Sequence, residues 1–278
     1  MWSQIVTKND YRTIDVLIPT CDRPAALAVT LASLCAQTCR DFRVIISDQT
    51  ENQNISETQE VQAVMRVLEV HGHLVKTYKN LPRRGIAEQR QFLLNKASAT
   101  YVIFLDDDVF LESYVVQNLL TAIQEEKCGF VGNAFIGLSF INDIRPHEQN
   151  IEFWDTPVTP EVVKSETPAW ERWRLHNAAN LYHIQQRFDI TSDRPRKYRI
   201  AWASGCAIYD RQKLLDVGGY NFWQELPLHA CGEDVLVQLR LMAKYGGCGL
   251  LPSGAYHQEL PTTISDRSVD APHLLPIC

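Results

Sequence analysis

Tyr101-Val-Ile-Phe-Leu105, followed at once by Asp106-Asp107-Asp108, decides the fold of this chain. An apolar run rich in β-branched and aromatic side chains predicts a buried strand. Three carboxylates at its end concentrate negative charge, which is costly unless a cation, a proton or solvent relieves the repulsion. Open α/β sheets bind their ligands at the carboxyl edge of the strands. The cluster therefore reads as the place where a divalent metal bridges protein carboxylates to a phosphorylated ligand. The plainer alternative is that the aspartates stop the strand and cap a helix starting near Leu111-Glu112. Asp108 alone would suffice for a cap, and three in a row exceed it.

Outward from this strand the chain alternates. Residues 14–19, Ile-Asp-Val-Leu-Ile-Pro, predict a first strand, and 24–36 a helix with apolar residues at helical spacing. A second strand is expected over 42–47, then a polar loop and a helix over 57–69. A third strand over 73–78 precedes a helix over 86–97, and a further helix over 112–126 follows the acidic cluster. This spacing implies an α/β fold with a mostly parallel, doubly wound sheet flanked by helices.

Beyond Gly129 the alternation stops. Residues 137–200 are rich in Trp, Pro, Asn and His and form an irregular insertion. Within it, 170–184 has helical spacing, with Trp170, Trp173, Asn177, Asn180, Leu181 and Ile184 on one side. Regular structure returns as a strand over 200–209, a short helix over 211–217, a turn at Gly218-Gly219, a helix over 232–245 and a strand over 248–251. The Pro-rich end, 257–278, is expected either to fold over the site or to stay loose.

Composition narrows the function. A 278-residue chain with 45% hydrophobic residues can bury a large core, and a net charge of -6 argues against a nucleic-acid surface. The basic stretch Arg194-Pro-Arg-Lys-Tyr-Arg199 reads as a solvated loop or an anion contact. Eight scattered cysteines without a CxxC pair suit a reducing compartment. Residues 1–10 are polar and lack the apolar core of a signal peptide, and no apolar run is long enough to span a bilayer. The expected location is the cytoplasm, including peripheral contact with the inner face of the membrane.

Four further elements gather around the aspartates. The first strand ends Pro19-Thr20-Cys-Asp22-Arg23-Pro24 and the second Ser47-Asp48-Gln49, which puts polar groups at the same carboxyl edge. Arg83-Arg84-Gly85-Ile-Ala-Glu-Gln-Arg90 opens a helix whose amides and arginines suit phosphate. It has neither a Walker pattern nor GxGxxG, so neither a P-loop ATPase nor a Rossmann dehydrogenase is supported. Finally, Gly232-Glu233-Asp234 starts a helix whose dipole favours anionic carboxylates, one of which could act as a general base.

In order and spacing, Ile18-Pro-Thr-Cys-Asp-Arg-Pro24, Asp48, the Gly85–Arg90 helix start, Phe104-Leu-Asp-Asp-Asp108 and Gly218-Gly-Tyr220 with Gly232-Glu-Asp234 resemble family-2 glycosyltransferases of the GT-A fold. The resemblance covers about 13–136 and 200–257. It implies one GT-A unit over 1–278: a nucleotide-sugar-binding half at 13–136, an acceptor half at 137–257 that contains the 137–200 insertion, and a tail at 258–278. It also implies a nucleotide-sugar donor, a Mn2+ or Mg2+ cofactor, and a glycan, lipid-linked or small-molecule acceptor.

By the family pattern Asp48 would contact the base, while Pro19, Thr20, Asp22 and Arg23 would surround the nucleoside. Gly85, Arg84, Arg90 and Asp107 would complete the donor site. Asp106 would face ribose or metal, Asp108 would ligate the metal, and His257 would complete the metal or diphosphate site. Asp234, or else Glu233, would be the base. Trp202-Ala-Ser-Gly-Cys206 resembles the stretch lining the sugar pocket, although a core strand explains it nearly as well. Gln91 stands where many relatives carry Asn.

The implied reaction is a single displacement with inversion at the anomeric carbon. A retaining reaction is the near alternative, and only product stereochemistry separates the two. Two other functions compete: a nucleotidyltransferase making a nucleotide sugar, and a catalytically silent sugar-nucleotide scaffold. The first would show a Gly-rich basic loop where Thr20-Cys-Asp-Arg-Pro24 stands, and the second has no need of Asp106, Asp108 and Asp234 together.

Overall fold

Residues 12–263 and 267–277 are described by the structure, a computed structural model; the polar stretch 1–10 lies outside them. The chain begins with β1 (Ile14–Thr20), α1 (Pro24–Cys35), β2 (Phe42–Asp48), α2 (Gln59–Val70), β3 (Val75–Lys79), α3 (Ile86–Lys96) and β4 (Tyr101–Leu105). Next come β5 (Val109–Leu111), α4 (Val115–Glu126), β6 (Phe130–Gly132), α5 (Asn180–Arg187) and β7 (Arg196–Tyr198). The last elements are β8 (Cys206–Asp210), α6 (Arg211–Asp216), α7 (Glu233–Tyr245), β9 (Gly247–Leu251), β10 (Ala255–His257) and α8 (Ala271–Leu274).

Eight strands form one sheet in the order β3-β2-β1-β4-β8-β6-β9-β7, and β5 pairs with β10 in a separate ribbon. The first four strands are mutually parallel, as are β6 and β9. β8 runs antiparallel between β4 and β6, and β7 antiparallel at the edge. The sheet is thus mostly parallel, as expected, and the reversed strands belong to the second half of the chain.

Alternation along the strands sorts side chains to two cores. Val16, Ile18, Val44, Ile46, Ile103 and Leu105 meet Leu27 and Leu31 of α1, Leu68 of α2 and Leu119 of α4. On the other face Leu17, Ile45, Val102 and Phe104 meet Leu93 of α3, Leu236 and Leu239 of α7, and Leu175, Leu181 and Ile184 of the irregular segment. Both faces are covered, so the strands read as near-continuous apolar runs.

Four expectations change. The helix awaited at 112 begins at Val115, because Val109–Leu111 is taken up as β5 against β10. The strand awaited over 200–209 is confined to Cys206–Asp210. Gly205 turns the chain at φ +89°, and a Cβ there would stand 2.3 Å from the Phe135 ring. The helix over 170–184 is broken in two: a 3-10 stretch Trp170–His176, then α5, with Ala178 at φ 47° between them. The apolar stripe survives the break, with Leu181 and Ile184 buried in one core and both tryptophans packed against that core. Within the basic run 194–199, Arg196–Tyr198 is the edge strand β7. Arg196 lies over Phe153 at 3.5 Å and Arg199 over Trp154 at 3.6 Å. Charged side chains on an edge strand block further pairing.

Candidate active site

The carboxyl ends of β1, β2 and β4 lie side by side, since Thr20 pairs with Asp48 and Leu17 with Phe104. Gln89, buried in the first turn of α3, donates from Nε2 to the carbonyls of Thr20 (3.0 Å) and Ser47 (2.7 Å), tying two strand ends to that helix. Gly85 precedes it at φ +88°, and a Cβ there would stand 2.7 Å from the Leu228 carbonyl oxygen. Only glycine lets the chain enter α3 at this approach.

The three aspartates part company at once. Asp107 points inward: its Oδ2 accepts from Thr20 Oγ1 at 2.6 Å, and its carbonyl accepts from Thr30 Oγ1 at 2.8 Å. Burial pushes its carboxyl up to about 7, against the pull of Thr20. Asp108 collects positive charge: Arg23 Nη1 lies 2.6 Å and His257 Nε2 3.4 Å from its Oδ2. Burial works to raise Asp108, but the His257 hydrogen bond and charge, with those of Arg23, hold it below the usual carboxylate range. Asp106 accepts from Arg90 Nη2 at 2.8 Å. Burial raises its carboxyl, Arg90 lowers it, and the charges of Asp108 and Asp234 raise it further.

Across from the aspartates stands the head of α7. Gly232 precedes it in the left-handed region, φ +74°, and Glu233 and Asp234 occupy its first turn. Glu233 is buried and accepts from Arg90 Nε at 2.8 Å. Burial pushes it up to about 7, helped by Asp234 and opposed by Arg90. Asp234 Oδ2 accepts from Ser204 Oγ at 3.2 Å. Ser204 belongs to the loop before β8, beside Trp202, whose ring meets Trp170 at 5.0 Å. The tail closes this side: Cys231 N donates to Val269 O (3.0 Å), and Ala271 N donates to Cys231 O (2.9 Å). Residues 257–278 thus fold over the site in their described parts, and Arg23 Nη2 also donates to the Pro261 carbonyl.

The remaining expected residues divide. Asp48 is buried and its carboxylate is filled: Thr50 N at 2.7 Å, Ile55 N at 3.2 Å and Lys79 Nζ at 2.9 Å. Asp22 is exposed at φ 58°, its N–H bonded to Thr50 Oγ1 at 2.8 Å. Pro19 is buried in β1, and Arg84 is exposed ahead of Gly85. Arg90 is 5% exposed, held between two carboxylates, and belongs to the frame of the site. The sequence offers Ser204 only as part of the Trp202–Cys206 stretch. It does not disclose the roles of Gln89, of Arg90 as a strut, or of Glu88, whose Oε2 accepts from Gln49 Nε2 at 3.0 Å and Asn80 Nδ2 at 2.9 Å. Only the helical offset of Gln89 and Arg90 from Gly85 hinted at them.

Asp108 suits a divalent cation that takes one or two protein carboxylates and fills its other positions from phosphate and water. Its Oδ2 is where cationic groups already converge. Among the described residues, no group of three or more His, Cys, Asp or Glu is assembled as a metal cage. The Nδ1 of His257 accepts from Glu259 N at 2.9 Å. That puts the ring proton on Nε2, and the nitrogen facing Asp108 donates a hydrogen bond to it.

Comparison with known proteins fits this geometry. The family model described as "Glycosyl transferase family 2" matches residues 15–193. Chondroitin synthase of Escherichia coli is 30% identical over 271 residues, 89% of this chain and 35% of that protein, so the chain spans about a third of this relative. Among solved structures, S. aureus TarS aligns with a TM-score of 0.55 at 17% identity, over 88% of this chain and 36% of its own. TarS 1-349 in complex with UDP-GlcNAc gives 0.56 at 15% identity, over 91% and 60%. The mannosyltransferase PcManGT from Pyrobaculum calidifontis, in complex with GDP-Man and Mn2+, gives 0.50 at 16%, over 86% and 56%. At such identities the structural likeness speaks for the fold alone.

Proposed function

This chain belongs to glycosyl transferase family 2 and has the GT-A fold, and from that premise we propose that it moves a sugar from a nucleotide-sugar donor to an acceptor hydroxyl, with inversion. The observation that carries the reading is the single arginine, Arg90, holding Asp106 at the end of β4 and Glu233 at the head of α7, each at 2.8 Å. It brings the carboxylates suited to a metal-bound diphosphate next to a carboxylate pair suited to a base.

The donor half is 13–136 and the acceptor half 137–257, closed by the tail. The nucleoside lies at the ends of β1 and β2, near Pro19, Thr20, Asp22 and Asp48. Asp48 shapes this floor through the backbone of Thr50 and Ile55. Mn2+ or Mg2+ would be held by Asp108, with Asp106 beside it, and when bound supplies positive charge to the leaving diphosphate. Arg23, Arg84 and the Nε2 proton of His257 add donors for the same oxygens. The acceptor hydroxyl oxygen forms a bond to the anomeric carbon as the carbon–oxygen bond to the diphosphate breaks. The bonding pair leaves with the nucleoside diphosphate, and the hydroxyl proton passes to Asp234. No covalent sugar–enzyme intermediate is formed.

Calorimetric titration of UDP, GDP, TDP and CDP, with and without Mn2+, tests this reading. One nucleotide should bind in a metal-dependent way, and Asp108→Ala should abolish the dependence. Asp234→Asn should keep that binding and lower transfer by about 10²–10⁴-fold. Failure of all four nucleotides to bind would overturn the proposal, and full turnover by Asp234→Asn would remove it as the base.

A further inference from the structure

Arg90 touches both halves of the site and is a donor on each side. Its Nε donates to Glu233 Oε1 and its Nη2 to Asp106 Oδ1, both at 2.8 Å. The planar guanidinium therefore spans three elements, α3, the end of β4 and the head of α7. Phe104 backs it, with the ring centroid 5.4 Å from the guanidinium carbon. The side chain is 7% exposed, against 31% for Asp106 and 6% for Glu233. The next residue reinforces the joint: Gln91 Oε1 accepts from Tyr220 N at 2.7 Å, fixing α3 to the loop that leads towards α7.

We propose that Arg90 is a positioning residue that sets the spacing between the aspartates after β4 and Asp234 on α7, and that it does not bind the donor diphosphate. The inference rests on the transfer reading above. Asp234 adjoins Glu233 in the first turn of α7, so a displaced Glu233 carboxylate carries Asp234 with it. Asp234 is also near enough for its charge to act on Asp106. Without the guanidinium, buried Glu233 and half-buried Asp106 are left without their shared counter-charge, and the head of α7 moves away from β4. Lysine cannot replace this fork, because an ammonium group lacks two donors fixed along one edge. The exposed Arg84, ahead of α3, remains with Arg23 and His257 as a donor for the diphosphate.

The test uses the full chain and a panel of UDP-, GDP-, TDP- and CDP-sugars, with release of the nucleoside diphosphate to water as the reaction read. In Arg90→Ala, kcat should fall about 10²-fold, the scale of a reactant misplaced by an ångström. The Kd of the matching nucleoside diphosphate with Mn2+ should stay within about threefold, because uniform binding is untouched. Guanidinium chloride at about 100 mM should recover about tenfold of the lost kcat by occupying the vacated space. Arg90→Lys should stay low. If Arg90→Ala fails to fold, the charge-free pair Arg90→Met with Glu233→Leu replaces it, with the same expected split between binding and kcat.

A nucleotide Kd that weakens in step with kcat/KM would show Arg90 on the diphosphate and overturn the inference. So would an unchanged kcat in either variant. A wild type that turns over no sugar in the panel overturns the transfer reading and the inference with it. A wild type that turns over one, matched by Arg90→Ala, overturns the inference alone.

Discussion

Asp106, Asp107 and Asp108 are adjacent in sequence and end against Arg90, Thr20 and Arg23 with His257, respectively. The three follow β4, with Asp107 and Asp108 in a turn, and what each carboxylate meets is set by the partner that reaches it from another segment. Glu233 offers the clearest pH signature at this scale. Its carboxyl is pushed from an ordinary 4.5 up to about 7, first by burial. Across that window the folded chain keeps the proton that the unfolded chain releases, so each step up in pH favours unfolding. The melting temperature should therefore fall between about pH 5 and 7 and level off above, and Glu233→Gln should make the fall shallower, the rest coming from Asp107, whose carboxyl burial raises into the same window. An equal slope in wild type and variant would place the proton elsewhere.

The head of α7 shows how an element is aimed. Gly232 sits at φ +74°, and a Cβ on it would come within 1.8 Å of Asp270 Oδ1, a residue of the tail. Gly232→Ala must therefore both strain the backbone and push the tail away. We expect a loss of about 1–2 kcal/mol from the left-handed conformation alone, read by denaturant titration. The tail should also become more open to limited proteolysis. A variant with unchanged stability and protection would mean that the tail does not lean on α7. Helix spacing and strand composition made α1, α3, β1, β2 and β4 legible within a residue or two of their ends. The three-residue strands β5, β6 and β7 carry too few positions for a period to show, and exist because partner strands complete them.

For the whole molecule, the sheet separates the edge proposed to bind the donor from a bracing edge. Asp15 and Arg43 pair across β1 and β2, Nη2 to Oδ2 at 2.9 Å, and Asp15 also accepts from the backbone of Ser98 (2.7 Å) and Ala99 (2.9 Å). This buried network lies near the amino ends of the strands, roughly 16 Å of extended chain from Thr20. Arg43→Met leaves Asp15 without its counter-charge and should cost about 3–5 kcal/mol of stability. Because the network is remote from the carboxyl edge, the nucleotide Kd of the folded variant should be unchanged. A weakened Kd would show that the two edges are coupled. Among the described residues no helix is long and apolar enough to cross a membrane.

The sequence by itself determined the alternating strands and helices, the acidic end of β4 and the carboxylate pair at Glu233-Asp234, because periodicity and adjacent charge are local properties. Tertiary structure alone decided which charges meet. Arg90 and Glu233 are 143 positions apart and bond at 2.8 Å, while Arg23, Asp108 and His257 converge from three separate segments. It also reversed β8 within the parallel sheet and broke the helix predicted over 170–184, since only packing between distant elements fixes strand direction and the point where an apolar stripe must bend. Local pattern specifies what each segment can form; burial of charge between distant segments specifies where its functional groups stand.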